Sequence, residues 1–241
     1  MSEYDNIREA YDLVFAKQTA KKVPFVIEIL KKHHKQNVLE LGSGSGLFTI
    51  PLNQAGFNIE GLELSQEMIE LTYKSASHLK IHQGNIQQYA LDKQFDAILG
   101  LSSVLVLLQN HQEMNQCLQC TYEHLQPEGI LLLELPNHSV EIKESNHTQE
   151  VYHNDDDSLI VVIQSLKEEK YWREYWSIFR NMPEKFQHEK SICDEFLYSP
   201  DVLENDLQKL GFKIIERYGD LLGNTFDEES SWRRVLICKK N

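Results

Sequence analysis

Three glycines at alternate positions stand in Glu40-Leu41-Gly42-Ser43-Gly44-Ser45-Gly46, directly after the apolar residues Val38 and Leu39. Glycine allows a tight turn and lets a ligand approach the backbone closely. The first N–H groups of a helix behind such a turn are free to bind polar or anionic groups. The dinucleotide fingerprint is G-x-G-x-x-G. Here Leu47 occupies its third-glycine position, with Gly46 one residue early, and Glu40 stands two residues before the first glycine. The pattern E-x-G-x-G-x-G therefore departs from that of hydride-transferring enzymes. Nineteen residues after Gly44 comes Glu63, in Gly61-Leu62-Glu63-Leu64-Ser65. At the end of a strand, such a carboxylate accepts hydrogen bonds from both ribose hydroxyls of an adenosine and repels a 2′-phosphate.

These residues need strands and helices to place them. Asp5 to Lys35 reads as helix, split in two at Pro24. Short apolar runs follow at 37–41, 57–62, 79–82, 95–100 and 130–135, separated by helical stretches near 47–54, 65–77 and 111–125. Ser65 is placed to cap the second of these helices. The alternation predicts βαβ units, hence a doubly wound, mostly parallel sheet with helices on both faces. After Pro136 the rhythm breaks. Residues 139–157 are polar and acidic and are expected to be a mobile loop. Residues 159–166 and 171–179 read as an antiparallel hairpin, and 185–196 as a further strand. The helix starting at Ser199-Pro200-Asp201 has Ser at the N-cap and Pro at N1, and Gly211 ends it. Strands at 212–218 and 232–238 form a final antiparallel pair, since their connection is too short for a crossover helix. The division is thus a core of 1–137 and 196–241 with an inserted β subdomain of 138–195. Ligands bind outside the carboxyl ends of strands in open α/β sheets. That edge collects Gly42, Glu63, Leu101 and Glu134 to His138, which makes His138 a candidate base. Tyr152, Tyr175 and Trp176, within the insertion, are candidates to close over an apolar or cationic substrate.

The ordered motifs resemble those of class I S-adenosylmethionine (SAM)-dependent methyltransferases. The resemblance implies a seven-stranded sheet whose last strand is antiparallel, with an antiparallel β insertion covering the active site. Glu40, Gly42, Ser43, Gly44 and Gly46 look like the motif under the methionine part of the cofactor. Glu63, with Leu64 beside it, looks like the ribose-binding acid. Gly84-Asn85-Ile86 looks like the adenine element, with Asn85 where Asp is usual. Phe95 to Ser103 looks like the motif near the cofactor amino group. This puts Leu101 at the cofactor and Ser102 and Ser103 at the substrate pocket. His124-Leu125-Gln126-Pro127-Glu128-Gly129 resembles the family's H-L-x-P-G-G, with Glu128 replacing a glycine. Tyr11-Asp12-Leu13-Val14-Phe15 and the ending with Ser231, Arg233 and Arg234 are similar to sugar N,N-dimethyltransferases. That implies a place for Tyr11 near the cofactor carboxylate or the substrate pocket, as a cofactor-binding and catalytic candidate.

Composition bounds the substrate. There are 24 Lys and Arg against 37 Asp and Glu, a formal charge of −13. Such a surface repels phosphate backbones, so no nucleic-acid partner is expected. No apolar run suits a membrane span, and four scattered cysteines point to a reducing cytoplasm and to no metal or disulfide framework. The expectation is a cytoplasmic, monomeric or homodimeric methyltransferase, acting on a nitrogen or oxygen of a small molecule. A protein or RNA methyltransferase and a non-catalytic SAM-binding regulator are the alternatives.

Overall fold

The computed structural model describes residues 7–137, 140, 147–182 and 185–241. In chain order the elements begin with α1 (Arg8–Lys32), β1 (Asn37–Leu41), α2 (Thr49–Gln54), β2 (Asn58–Glu63), α3 (Gln66–Ala76), β3 (Lys80–Gln83) and β4 (Phe95–Gly100). A 3-10 turn (Val104–Leu107), α4 (His111–His124) and β5 (Leu125–Pro136) follow. Then come β6 (His147–His153), β7 (Leu159–Lys167), β8 (Tyr171–Met182), β9 (Lys185–Phe196), α5 (Pro200–Lys209), β10 (Phe212–Tyr218) and β11 (Arg233–Lys240).

The main sheet has seven strands in the order β10-β11-β5-β4-β1-β2-β3, and a second sheet has four in the order β6-β7-β8-β9. Strands β1 to β5 pair in parallel, whereas β11 runs antiparallel to both β5 and β10. Both faces of the central strands are buried, which is why β5 is a continuous apolar run rather than an alternating one. Leu131, Leu133 and Leu135 face a core with α4 and α5, while Ile130 and Leu132 face α1 and α2. The strand order reverses between β1 and β4, which opens a crevice at their carboxyl ends.

Several local expectations are corrected. Pro24 does not split the first helix, because α1 runs unbroken through it. Ala20 and Pro24 are both exposed, so the carbonyl that loses its partner faces water. Meanwhile Val23, Phe25, Val26, Ile29 and Leu30 hold the helix on the sheet. Ser65 does cap α3, accepting from Met68 N–H at 3.3 Å, but Ser199 makes no side-chain cap bond at the start of α5. Glu128 adopts φ 63°, the left-handed conformation that glycine takes without strain. The stretch read as a loop at 139–157 contains β6, which pairs with β7 from His147↔Leu166 to His153↔Ile160. Its residues are mostly exposed because it is an edge strand, so its polarity fits a strand as well as a loop.

One face of the four-stranded sheet rests on the N-terminal half of α1. Val161, Ile163, Trp176 and Ile178 pack there with Ile7, Ala10, Val14 and Met68. Trp176 is 2% exposed, stands 6.0 Å from the ring of Phe15, and donates its indole N–H to Glu174 at 2.9 Å. Trp176→Ala is expected to destabilise the protein by about 3–5 kcal/mol, read as a lower urea midpoint. A change below about 1 kcal/mol would show that this contact does not secure the sheet.

Candidate functional site

At the carboxyl end of β1 the chain must turn beneath the 3-10 segment without obstructing the crevice. Gly42 has φ +63°, and a Cβ there would come within 2.3 Å of Val104 Cγ2. Gly44 has φ +55°, and a Cβ there would meet nothing within 4 Å. The two glycines thus serve different ends. Gly42 is bare because the protein packs on it, and Gly44 is bare beside open space. Gly46 has φ +88° and lies against Ile50 on the protein side.

Side chains brace this turn from several elements. The Gly44 N–H donates to Glu63 Oε2 at 2.8 Å, and the Ser65 N–H donates to Glu63 Oε1 at 2.8 Å. Thr72 Oγ1 donates to the Gly44 carbonyl at 3.0 Å. Ser45 Oγ donates to Asp12 of α1 at 2.5 Å. Glu40 lies beneath, 4% exposed, and accepts the Thr49 hydroxyl. Burial, reinforced by the charge of Glu63, pushes the Glu40 carboxyl up to about 8 despite that hydrogen bond.

These elements enclose a cavity of about 410 Å³, within the range of small-molecule sites. Of the residues read from the sequence, Tyr11, Gly42, Gly44, Glu63, Leu64, Asn85, Ile86, Leu101 and Ser102 line it. Met68, Gln87, Val104, Leu107, Leu108, Gln109 and Glu113 line it too. Gln87 directly follows the Gly84-Asn85-Ile86 element, whereas the place of the others depends on how the segments after β4 and in α3 fold back, which no local motif announces. Asn85 Oδ1 accepts Gln87 N–H at 2.9 Å, leaving its amide donors and one acceptor site for a ligand. Tyr11 reaches the cavity from α1 and lines it together with Ser102. Burial, with the carboxylates of Glu40, Glu63 and Asp12, drives its phenol well above the ordinary range. It therefore stays protonated, and orients rather than accepts a proton.

Other candidates lie elsewhere. Ser43 is buried behind the turn, where its Oγ would touch a Cβ on Gly61 at 2.5 Å. Glu40 and Gly46 are likewise behind the wall, and Ser103 is buried and bonded to Arg233 at 2.6 Å. Trp176 is absorbed in the contact with α1. Tyr152 packs on that same cluster and donates to Glu150 at 2.7 Å. Tyr175 is next to Trp176 on β8 and so points to the other face of the sheet. None of these three lines the cavity. His138 lies outside the described residues.

A family model described as a methyltransferase domain matches residues 9–217. The chain is a SAM-dependent methyltransferase of class I. This methyltransferase is 24% identical over 224 residues to a glycine/sarcosine N-methyltransferase of Aphanothece halophytica, covering 90% of this chain and 81% of that enzyme. Its fold is that of a SAM-dependent methyltransferase from Clostridium acetobutylicum, with a TM-score of 0.84, 17% identity and 100% of each chain covered. It also matches the sugar N-methyltransferase KedS8 from Streptoalloteichus, with a TM-score of 0.78 and 16% identity, over 97% of this chain and 92% of that one. The family implies SAM as the methyl donor. The open space at Gly44 and the buried acid Glu63 suit a nucleoside ligand pressed against the backbone. Among the described residues, no helix of the methyltransferase is long and apolar enough to cross a membrane.

The Glu40 carboxyl gives a pH signature. In the folded chain it holds its proton up to about pH 8, whereas unfolded it releases it near 4.5. The folded state binds more protons between those values, so stability present below 4.5 is lost as pH rises through 8. Glu40→Gln cannot titrate there. Its melting midpoint is expected to fall less than that of the wild type between about pH 5 and pH 9. Parallel decline in both proteins would refute the assignment.

Proposed function

We propose that this protein transfers a methyl group from SAM to a nitrogen or oxygen atom of a small molecule by in-line displacement. The observation that carries the reading is the cavity at the β1, β2 and β4 ends, where the bare Gly44 backbone faces the buried carboxylate of Glu63. SAM supplies a methyl group already activated on a sulfonium, so the chain's task is mainly alignment and exclusion of water. Glu63 would take the ribose hydroxyls on its carboxylate oxygens, which the Gly44 and Ser65 N–H groups hold in place. Asn85, Ile86 and Gln87 would flank the adenine, and Leu101 and Ser102 the amino-acid tail. Tyr11, held protonated, would present its hydroxyl to the reacting end of the cavity. His138, which follows Asn137 in sequence, is the proposed base for an acceptor that must lose a proton.

The acceptor class rests on charge and on relatives. Glu63 and Glu113 are on the cavity wall, and among the described residues that line it there is no Lys or Arg. With a chain charge of −13, this disfavours a phosphate-bearing polymer. The names of the glycine/sarcosine and sugar N-methyltransferases point the same way. Residues 138–195 would be an inserted unit over a core of 1–137 and 196–241.

Calorimetric titration with S-adenosylhomocysteine, with NAD as control, tests the cofactor assignment. Wild-type protein should bind the former alone. Gly44→Val should weaken binding by at least ~100-fold while costing roughly 1–2 kcal/mol of stability, because φ +55° is strained for a branched residue. Unchanged affinity would sink the assignment.

A further inference from the structure

Behind the cavity wall lies a charged cluster that the reaction itself does not require. Ser102 and Ser103 follow β4 with φ 49° and 62°, two successive left-handed residues that are not glycine. Such a pair is strained and persists only where its surroundings hold it. Here the surroundings are specific. The Ser102 N–H donates to Glu134 Oε2 at 2.9 Å. Glu134 is on β5 and fully buried. Its other oxygen takes Lys22 Nζ of α1 at 2.7 Å, with Arg233 Nε of β11 at 3.5 Å. Arg233 also donates from Nη2 to Ser103 Oγ at 2.6 Å. On the cavity side, Ser102 lines the wall together with Tyr11, which belongs to the same helix as Lys22. Burial alone would raise the Glu134 carboxyl, but Arg233 and Lys22 outweigh it and hold it below the usual range.

We propose that Glu134 is a positioning residue: through Ser102, and with Lys22 and Arg233, it sets the shape of the cavity where the cofactor's amino-acid tail lies. The inference rests on the SAM reading above. The strand ends run β5, β4, β1, β2, β3, at a spacing of about 4.8 Å. With the ribose at Glu63 and the base toward Asn85, the tail extends to the β4 end, where Leu101 and Ser102 line the wall. A network on β5, β11 and α1 therefore acts on one end of the ligand and not the other. A plain stability element would act on both ends equally.

The test compares two ligands that share a nucleoside, S-adenosylhomocysteine and 5′-methylthioadenosine, of which the second has no amino-acid tail. Glu134→Gln keeps the shape and removes the charge. Lys22 and Arg233 retain 22% and 25% side-chain exposure, so water can solvate them in this variant. It should bind S-adenosylhomocysteine about tenfold more weakly, with 5′-methylthioadenosine binding unchanged. Ser103→Gly is the second variant. It relieves one left-handed residue and deletes the Arg233 acceptor. Its melting midpoint should hold or rise while its preference for the tailed ligand falls ~3-fold. Equal losses for both ligands, or no loss for either, would overturn the proposal. Wild-type protein that binds neither ligand would instead overturn the SAM reading on which it rests.

Discussion

The hydrogen bond from the Gly44 N–H to the Glu63 carboxylate joins the two strand ends on which the site is built. A backbone that is to touch a ligand must carry no side chain there, yet a bare glycine turn is the most flexible segment a chain can have. Glu63 resolves that conflict, because it ties the turn after β1 to the end of β2 and, through Ser65, to the first turn of α3. Thr72 of α3 and Asp12 of α1 add their own ties to the same loop. The turn is therefore rigid although its composition is permissive, and its open side is the side that faces the cavity.

The same region concentrates buried charge. Glu40 and Glu134 are both deeply buried, and their surroundings drive them in opposite directions. Glu40 is buried beside a second acid with only a hydroxyl to offset it, so its proton is retained to about pH 8. Glu134 has two cations and an N–H, so it remains an anion. A carboxylate buried without cations is unfavourable, and one flanked by them is a fixed point. Beneath the cavity, the first kind of site leaves a nearly neutral floor at neutral pH, and the second anchors a strained wall.

The four-stranded sheet shows how tertiary packing reassigns residues. Tyr152, Tyr175 and Trp176 read as substrate contacts because aromatics in an insertion over a sheet edge suit that role. Packing against α1 takes Trp176 and much of Tyr152, and the pleat turns Tyr175 to the opposite face. Strand β6 was hidden for a related reason. Its exposed edge position requires polar residues, so nothing in its composition separates it from a loop. Pro24 is the converse case, since a local helix breaker is overridden where one face of α1 is firmly packed and the other meets water.

Local signals in the sequence determined the parallel core, the antiparallel closing strands, the glycine turn and the acid at the end of β2. Each of these depends on residues close together in the chain, through apolar periodicity, turn geometry and caps. The match to Gly42, Gly44, Glu63, Asn85 and Leu101 on the cavity wall follows from that, since strand ends in such a sheet converge at one edge. Only the tertiary structure decided which glycine faces a ligand and which faces Val104. It alone joined Lys22, Ser102, Glu134 and Arg233, which are separated by up to 211 residues (233 − 22) in the chain. Electrostatic partners at such separations leave no periodicity in sequence. They are selected when strands β4, β5 and β11 and helix α1 come together, and the low dielectric of that interior makes their pairing obligatory.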